Sequence, residues 1–85
     1  MGNYIKDSLD AIKFKMREKD NEGSSVPVIV RIRTASGELI RLRVVSVQDD
    51  YISALEKNQT EPEPYSFANI TNWRFAPYIE SEWKK

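Results

Sequence analysis

The residues of this chain best suited to chemistry are four arginines, Arg31, Arg33, Arg41 and Arg43, within VIVRIRTASGELIRLRV, Val28 to Val44. A guanidinium is planar and permanently charged, binds phosphate through paired N–H donors, and stacks on bases. Two pairs at alternate positions of two β-type runs form a candidate anion-binding face. The plainer reading is a solvated strand face, its stems covering apolar neighbours and its heads paired with Glu38 or Glu56. Like charges directly opposed on a hairpin cost stability. A face without a task would therefore tend to alternate its signs. Trp73 followed by Arg74 adds an aromatic ring and a fifth guanidinium. Base stacking on such a ring is worth about 1–3 kcal/mol per base. The candidate ligand-binding residues are Arg31, Arg33, Arg41, Arg43, Trp73 and Arg74.

Other chemistry is poorly supplied. The 85 residues contain neither cysteine nor histidine, which removes thiol and Ser–His nucleophiles and the usual structural zinc ligands. Asp49-Asp50 has the form of a turn, and Glu61 and Glu63 flank prolines in a polar loop. General acid–base catalysis needs a carboxylate in a cleft with a shifted pKa, which neither pair suggests. The three glycines are scattered and build no phosphate-cradling loop. The reading is a non-enzyme without metal or cofactor.

Net charge is zero, with 13 basic and 13 acidic side chains. It is unevenly spread: residues 11–47 carry eight Lys/Arg against four Asp/Glu, and residues 48–85 carry four against seven. A basic front and an acidic back suit an oriented partner or head-to-tail association. The run Lys13, Lys15, Arg17, Lys19 reads as solvated helix surface. No apolar run approaches the ~20 residues that span a bilayer, and the first residues lack a signal-peptide pattern. The expectation is a cytoplasmic protein with no membrane partner.

The elements that must position the arginines follow from periodicity. Residues 3–20 read as a helix, with Ile5, Leu9, Ile12 and Met16 on one stripe, Asn3 as N-cap and Gly23 beyond the end. From Val26 the period changes to two: Val26, Val28, Val30 and Ile32 share one face, Ile29, Arg31 and Arg33 the other. In the second strand Ile40, Leu42 and Val44 alternate with Leu39, Arg41 and Arg43. The phase then slips to Val45 and Val47, which predicts a bulge near Val44–Val45. Both apolar faces must cover one core, so the loop is odd. A three-residue loop, Ala35-Ser36-Gly37, with Gly37 left-handed, sets all four arginines on the outer side. Residues 51–56 form a third strand and 57–64 an irregular loop. Residues 65–75 hold a fourth strand, a turn at Asn69–Thr71 and a fifth strand through Phe75. Phe67 and Phe75 are core candidates. Residues 78–85 form a short helix or tail.

A helix followed by five short strands, the second long and bent, resembles the Sm-like (SH3-like) small β-barrel. The wording is similar to the WYL-type variant, on TASGELIRLRVVSV, DDYISALE and YSFANITNW. The Trp-Tyr-Leu signature itself is absent, with Tyr51-Ile52-Ser53 standing where a Tyr-led strand begins, and the Sm-like nucleotide-loop signatures are absent too. The resemblance implies binding without catalysis. Sm-like proteins form rings on RNA, and WYL-type domains sense nucleic acid or nucleotides through basic and aromatic residues.

The expected architecture is mainly β with an N-terminal helix, a five-stranded Sm-like small barrel. Residues 1–25 are helix and linker, 26–77 barrel and 78–85 tail, all one domain. The expected function is non-catalytic binding of a phosphate-bearing ligand (RNA, DNA or a signalling nucleotide) by a homo-oligomer, in its most specific form a phage accessory protein that sequesters a host nucleotide. The competing reading is a protein-interaction module or inhibitor that docks its basic face on a host protein.

Overall fold

A computed structural model describes residues 4–83. The expected N-cap, Asn3, lies outside them, as do Lys84 and Lys85. Helix α1 (Tyr4–Asn21) leads into strands β1 (Ile29–Thr34), β2 (Leu39–Val47), β3 (Tyr51–Leu55) and β4 (Glu63–Ser66). A single 3-10 turn, Phe67–Asn69, precedes β5 (Ile70–Ala76), and a one-turn helix, α2 (Glu80–Trp83), follows. The chain is mainly β with an N-terminal helix. The five strands form one antiparallel open sheet in the order β4-β3-β2-β1-β5.

The helix stripe does what its spacing predicts. Leu9 and Ile12 are buried, and Ile5 and Met16 pack partly against the same core. They meet Val30, Ile32, Leu42, Val44, Ile52 and Ala54 from the inner face of the sheet, with Phe67 and Ile70 filling the end near the 3-10 turn. An isolated helix of this length is marginal in water; burial of this stripe on the sheet is what holds it. Ser8 is the one buried polar residue of the described chain, and its Oγ accepts the Trp73 indole N–H at 2.7 Å. That bond ties the helix to β5 without stranding a polar group.

The β1–β2 hairpin has the odd loop. Thr34 N–H donates to the Glu38 carbonyl at 2.9 Å and Gly37 N–H to the Thr34 carbonyl at 2.9 Å. Gly37 has φ +91°, the left-handed region that favours glycine. Val30 faces Leu42 and Ile32 faces Ile40. Of the alternate positions, Arg33, Leu39, Arg41 and Arg43 are exposed and Arg31 is half-buried, while Ile29 is buried outside the main core cluster. The bulge in β2 falls between Val44 and Ser46. It rotates Val47 back onto the inner face beside Ile52 and leaves Val45 exposed.

Several boundaries differ from the sequence reading. The turn read at Asn69–Thr71 falls earlier, as the 3-10 turn Phe67–Asn69, because Ile70 already pairs with Thr34 and Thr71 belongs to β5. Strand β1 begins at Ile29 rather than Val26, because Pro27 cannot donate to a ladder. Strand β4 begins at Glu63, inside the segment read as irregular, and Pro64 pairs with Ser53. A proline is tolerated there because β4 is an edge strand and its missing N–H faces no neighbour. Phe67 is buried as expected, while Phe75 remains 40% exposed at the rim of the core, with Lys15 Nζ 5.9 Å from its ring centre.

Candidate anion-binding site

The site is built by strand register. Arg31 lies directly opposite Arg41 across the β1–β2 ladder and directly opposite Arg74 across the β1–β5 ladder. Three guanidinium-bearing residues thus form one transverse row over three adjacent strands. Opposed Cβ atoms in antiparallel ladders are about 4.5–5.5 Å apart, so the row concentrates three positive charges. Arg33 lies one step along β1, flanked by Leu39 and Asn72. Arg43 lies one step the other way along the outer face, opposite Ile29 and Leu55. Arg31, Arg33, Arg41, Arg43 and Arg74 are therefore brought to one side of the sheet.

Trp73 is not on that side. It faces Ile32, an inner position. Its ring stands edge-on to Phe67 at 6.2 Å and to Phe75 at 5.0 Å, and its N–H is held by Ser8. The β-strand period of two explains this: neighbours in sequence point to opposite faces, so Trp73 and Arg74 cannot serve one site through both side chains. Trp73 borders the arginine face only as the strand residue between Asn72 and Arg74.

The row opens onto two concavities that share Arg31 and Leu39. The smaller, about 70 Å³, is lined by Arg31, Arg33, Leu39, Asn72, Trp73 and Arg74. It is several times the ~10–15 Å³ that one water needs, a size suited to a single oxyanion. The larger, about 460 Å³, is lined by Arg31, Leu39, Ile40, Arg41, Glu56, Lys57, Glu82 and Trp83.

The charges are sparsely compensated. Neither Glu38 nor Glu56 pairs with an arginine: Ser36 donates to Glu38 at 3.4 Å, and the Tyr65 hydroxyl donates to Glu56 at 3.1 Å. The carboxylate that does reach the row is Glu82, whose two oxygens accept from Nη1 of Arg41 at 2.9 and 2.8 Å. Arg33 donates to the Gly37 carbonyl at 3.4 Å, which ties it to the hairpin loop. Among the described residues, Arg31, Arg43 and Arg74 form no salt bridge. No group of three or more metal-ligating side chains occurs among the described residues, and no helix there is long and apolar enough to cross a membrane.

Sequence reasoning missed Glu82 and Trp83 as neighbours of the arginines. The segment after Pro77 returns across the outer face, and only its aromatic content signalled that it packs at all. Compared with known proteins, the chain matches no family model, no curated protein and no solved structure. The reading of the site rests on its own geometry.

Proposed function

We propose that this protein binds a phosphate-bearing ligand without transforming it, with the phosphate seated in the small concavity of Arg31, Arg33 and Arg74. The observation that carries the reading is the row Arg41–Arg31–Arg74, in which like charges stand directly opposed on neighbouring strands. Such an arrangement costs stability unless an anion relieves it. Arginine forks are also the groups best matched to phosphate oxygens. RNA, DNA and a free signalling nucleotide share this chemistry, and a phage accessory protein that sequesters a nucleotide in the host cytoplasm is the most specific form of the proposal.

The finer fold reading belongs with it. An N-terminal helix, a bulged second strand, a 3-10 turn before the last strand and the order β4-β3-β2-β1-β5 support an Sm-like or SH3-like small barrel. The unpaired outer edges of β4 and β5 favour association between copies, since edges of this kind recruit further strands.

Titration with inorganic pyrophosphate at low and high salt tests the site. Wild-type protein is expected to bind with an affinity that falls as salt rises. The double variant Arg31→Glu/Arg74→Glu is expected to lose binding with an unchanged circular dichroism spectrum. Retained affinity in that variant removes the row from the site. The competing reading, a basic face docked on an acidic protein, draws on Leu39, 54% exposed beside Arg33. A pure protein binder would neither bind pyrophosphate nor retard an oligonucleotide at low salt.

A further inference from the structure

The larger concavity on the arginine face contains groups that an anion receptor does not require. Trp83 supplies an aromatic ring, Leu39 an apolar side chain, and Glu56 and Glu82 carboxylate acceptors, while Arg31 connects it to the phosphate-sized concavity. Ile40, whose side chain packs on the inner core, borders it only as the strand residue between Leu39 and Arg41. Its volume of about 460 Å³ falls within the roughly 300–1,000 Å³ of small-molecule sites. A phosphate alone is too small to fill it and gains nothing from a ring or a carboxylate. A nucleobase has a π-face for stacking and ring N–H and amino donors for carboxylates.

We infer that the ligand is a nucleoside phosphate, its phosphate on Arg31, Arg33 and Arg74 and its base in the adjoining concavity against Trp83. This rests on the proposed anion site and adds the place of the base, in the second concavity against Trp83. Trp83 reaches this face because the preceding residue is anchored: Glu82 accepts twice from Arg41. Arg41 is then a positioning residue that holds the C-terminal segment, and the phosphate falls to the arginines that carry no carboxylate. The division of labour explains why one arginine of the row is paired and its two partners in the row are not.

The test compares adenosine 5′-monophosphate with inorganic pyrophosphate on wild type, Trp83→Ala and Trp83→Phe. Stacking of one base predicts that Trp83→Ala weakens nucleotide binding by roughly 5- to 150-fold. Trp83→Phe should retain most of the affinity, and pyrophosphate should bind all three proteins alike. An adenosine oligonucleotide forms a second arm. Binding at least tenfold tighter than the mononucleotide assigns the base to a nucleic-acid strand, and equal or weaker binding assigns it to a free nucleotide. Either result must carry the same dependence on Trp83. If pyrophosphate binds but Trp83→Ala leaves nucleotide affinity within twofold, the base site is overturned and the anion site stands. If the wild type binds neither probe, both are overturned.

Discussion

Glu82 grips Arg41 through both carboxylate oxygens, at 2.8 and 2.9 Å, across 41 residues of sequence. The pair is partly exposed, with 43% of the arginine and 24% of the glutamate side chain accessible. Exposed ion pairs contribute about 0–1 kcal/mol, so its consequence is placement of the C-terminal segment more than global stability. Glu82→Gln should shift the unfolding midpoint very little. It should raise hydrogen exchange in residues 80–83 and weaken nucleotide binding while sparing pyrophosphate. A large loss of stability would assign the pair a structural role instead.

Opposed arginines predict a trade between stability and binding. Replacing Arg31 by Gln removes the central charge of the row, which faces Arg41 on one side and Arg74 on the other. Urea unfolding at low salt should show a gain of up to about 1 kcal/mol. The gain should shrink as salt screens the repulsion. Pyrophosphate should stabilise the wild type and leave the variant nearly unchanged. A variant less stable at every salt concentration would mean that packing of the Arg31 stem outweighs its charge.

The hairpin loop depends on Gly37. Its φ of +91° is strained for any side chain, while a Cβ there would meet no atom within 4 Å. The cost of Gly37→Val is therefore backbone cost alone, about 1 kcal/mol or more. An unchanged melting temperature would count against the left-handed conformation.

Ser8 and Trp73 form the polar clasp between helix and sheet. Ser8→Ala leaves the Trp73 N–H without its acceptor, which should destabilise the protein by about 1–3 kcal/mol. In the background of Trp73→Phe the same serine change should cost much less, because no donor remains to be stranded. Equal costs in the two backgrounds would show that the bond contributes nothing.

Tyr65 predicts an alkaline limit. Burial first, and then its hydrogen bond to Glu56, push the phenol from the usual 10.0 up to about 12. The folded state thus keeps a proton that the unfolded chain gives up. The stabilisation is complete below pH 10 and is lost as the pH rises from 10 towards 12. Tyr65→Phe should flatten this part of the stability profile. Burial also raises the Tyr4 phenol, so part of the slope should remain in the variant.

Strand β1, strand β2 and the loop between them were legible in the sequence because their information is local. Alternation assigned each side chain a face, a shared core demanded an odd loop, and a single glycine supplied the turn. The four hairpin arginines and the bulge after Val44 follow from those constraints. The helix stripe was legible for the same reason, at a period of 3.6. Other features depended on contacts between distant segments. Pairing of β1 with β5, including the slip between Arg33 and Thr34, put Arg74 into the row and turned Trp73 to the core. The edge position of β4 admitted Pro64. The return of the C-terminal segment brought Glu82, rather than Glu38 or Glu56, to an arginine. A period of two specifies alternation within a strand, but which strands become neighbours is decided by the closure of the whole sheet around one core.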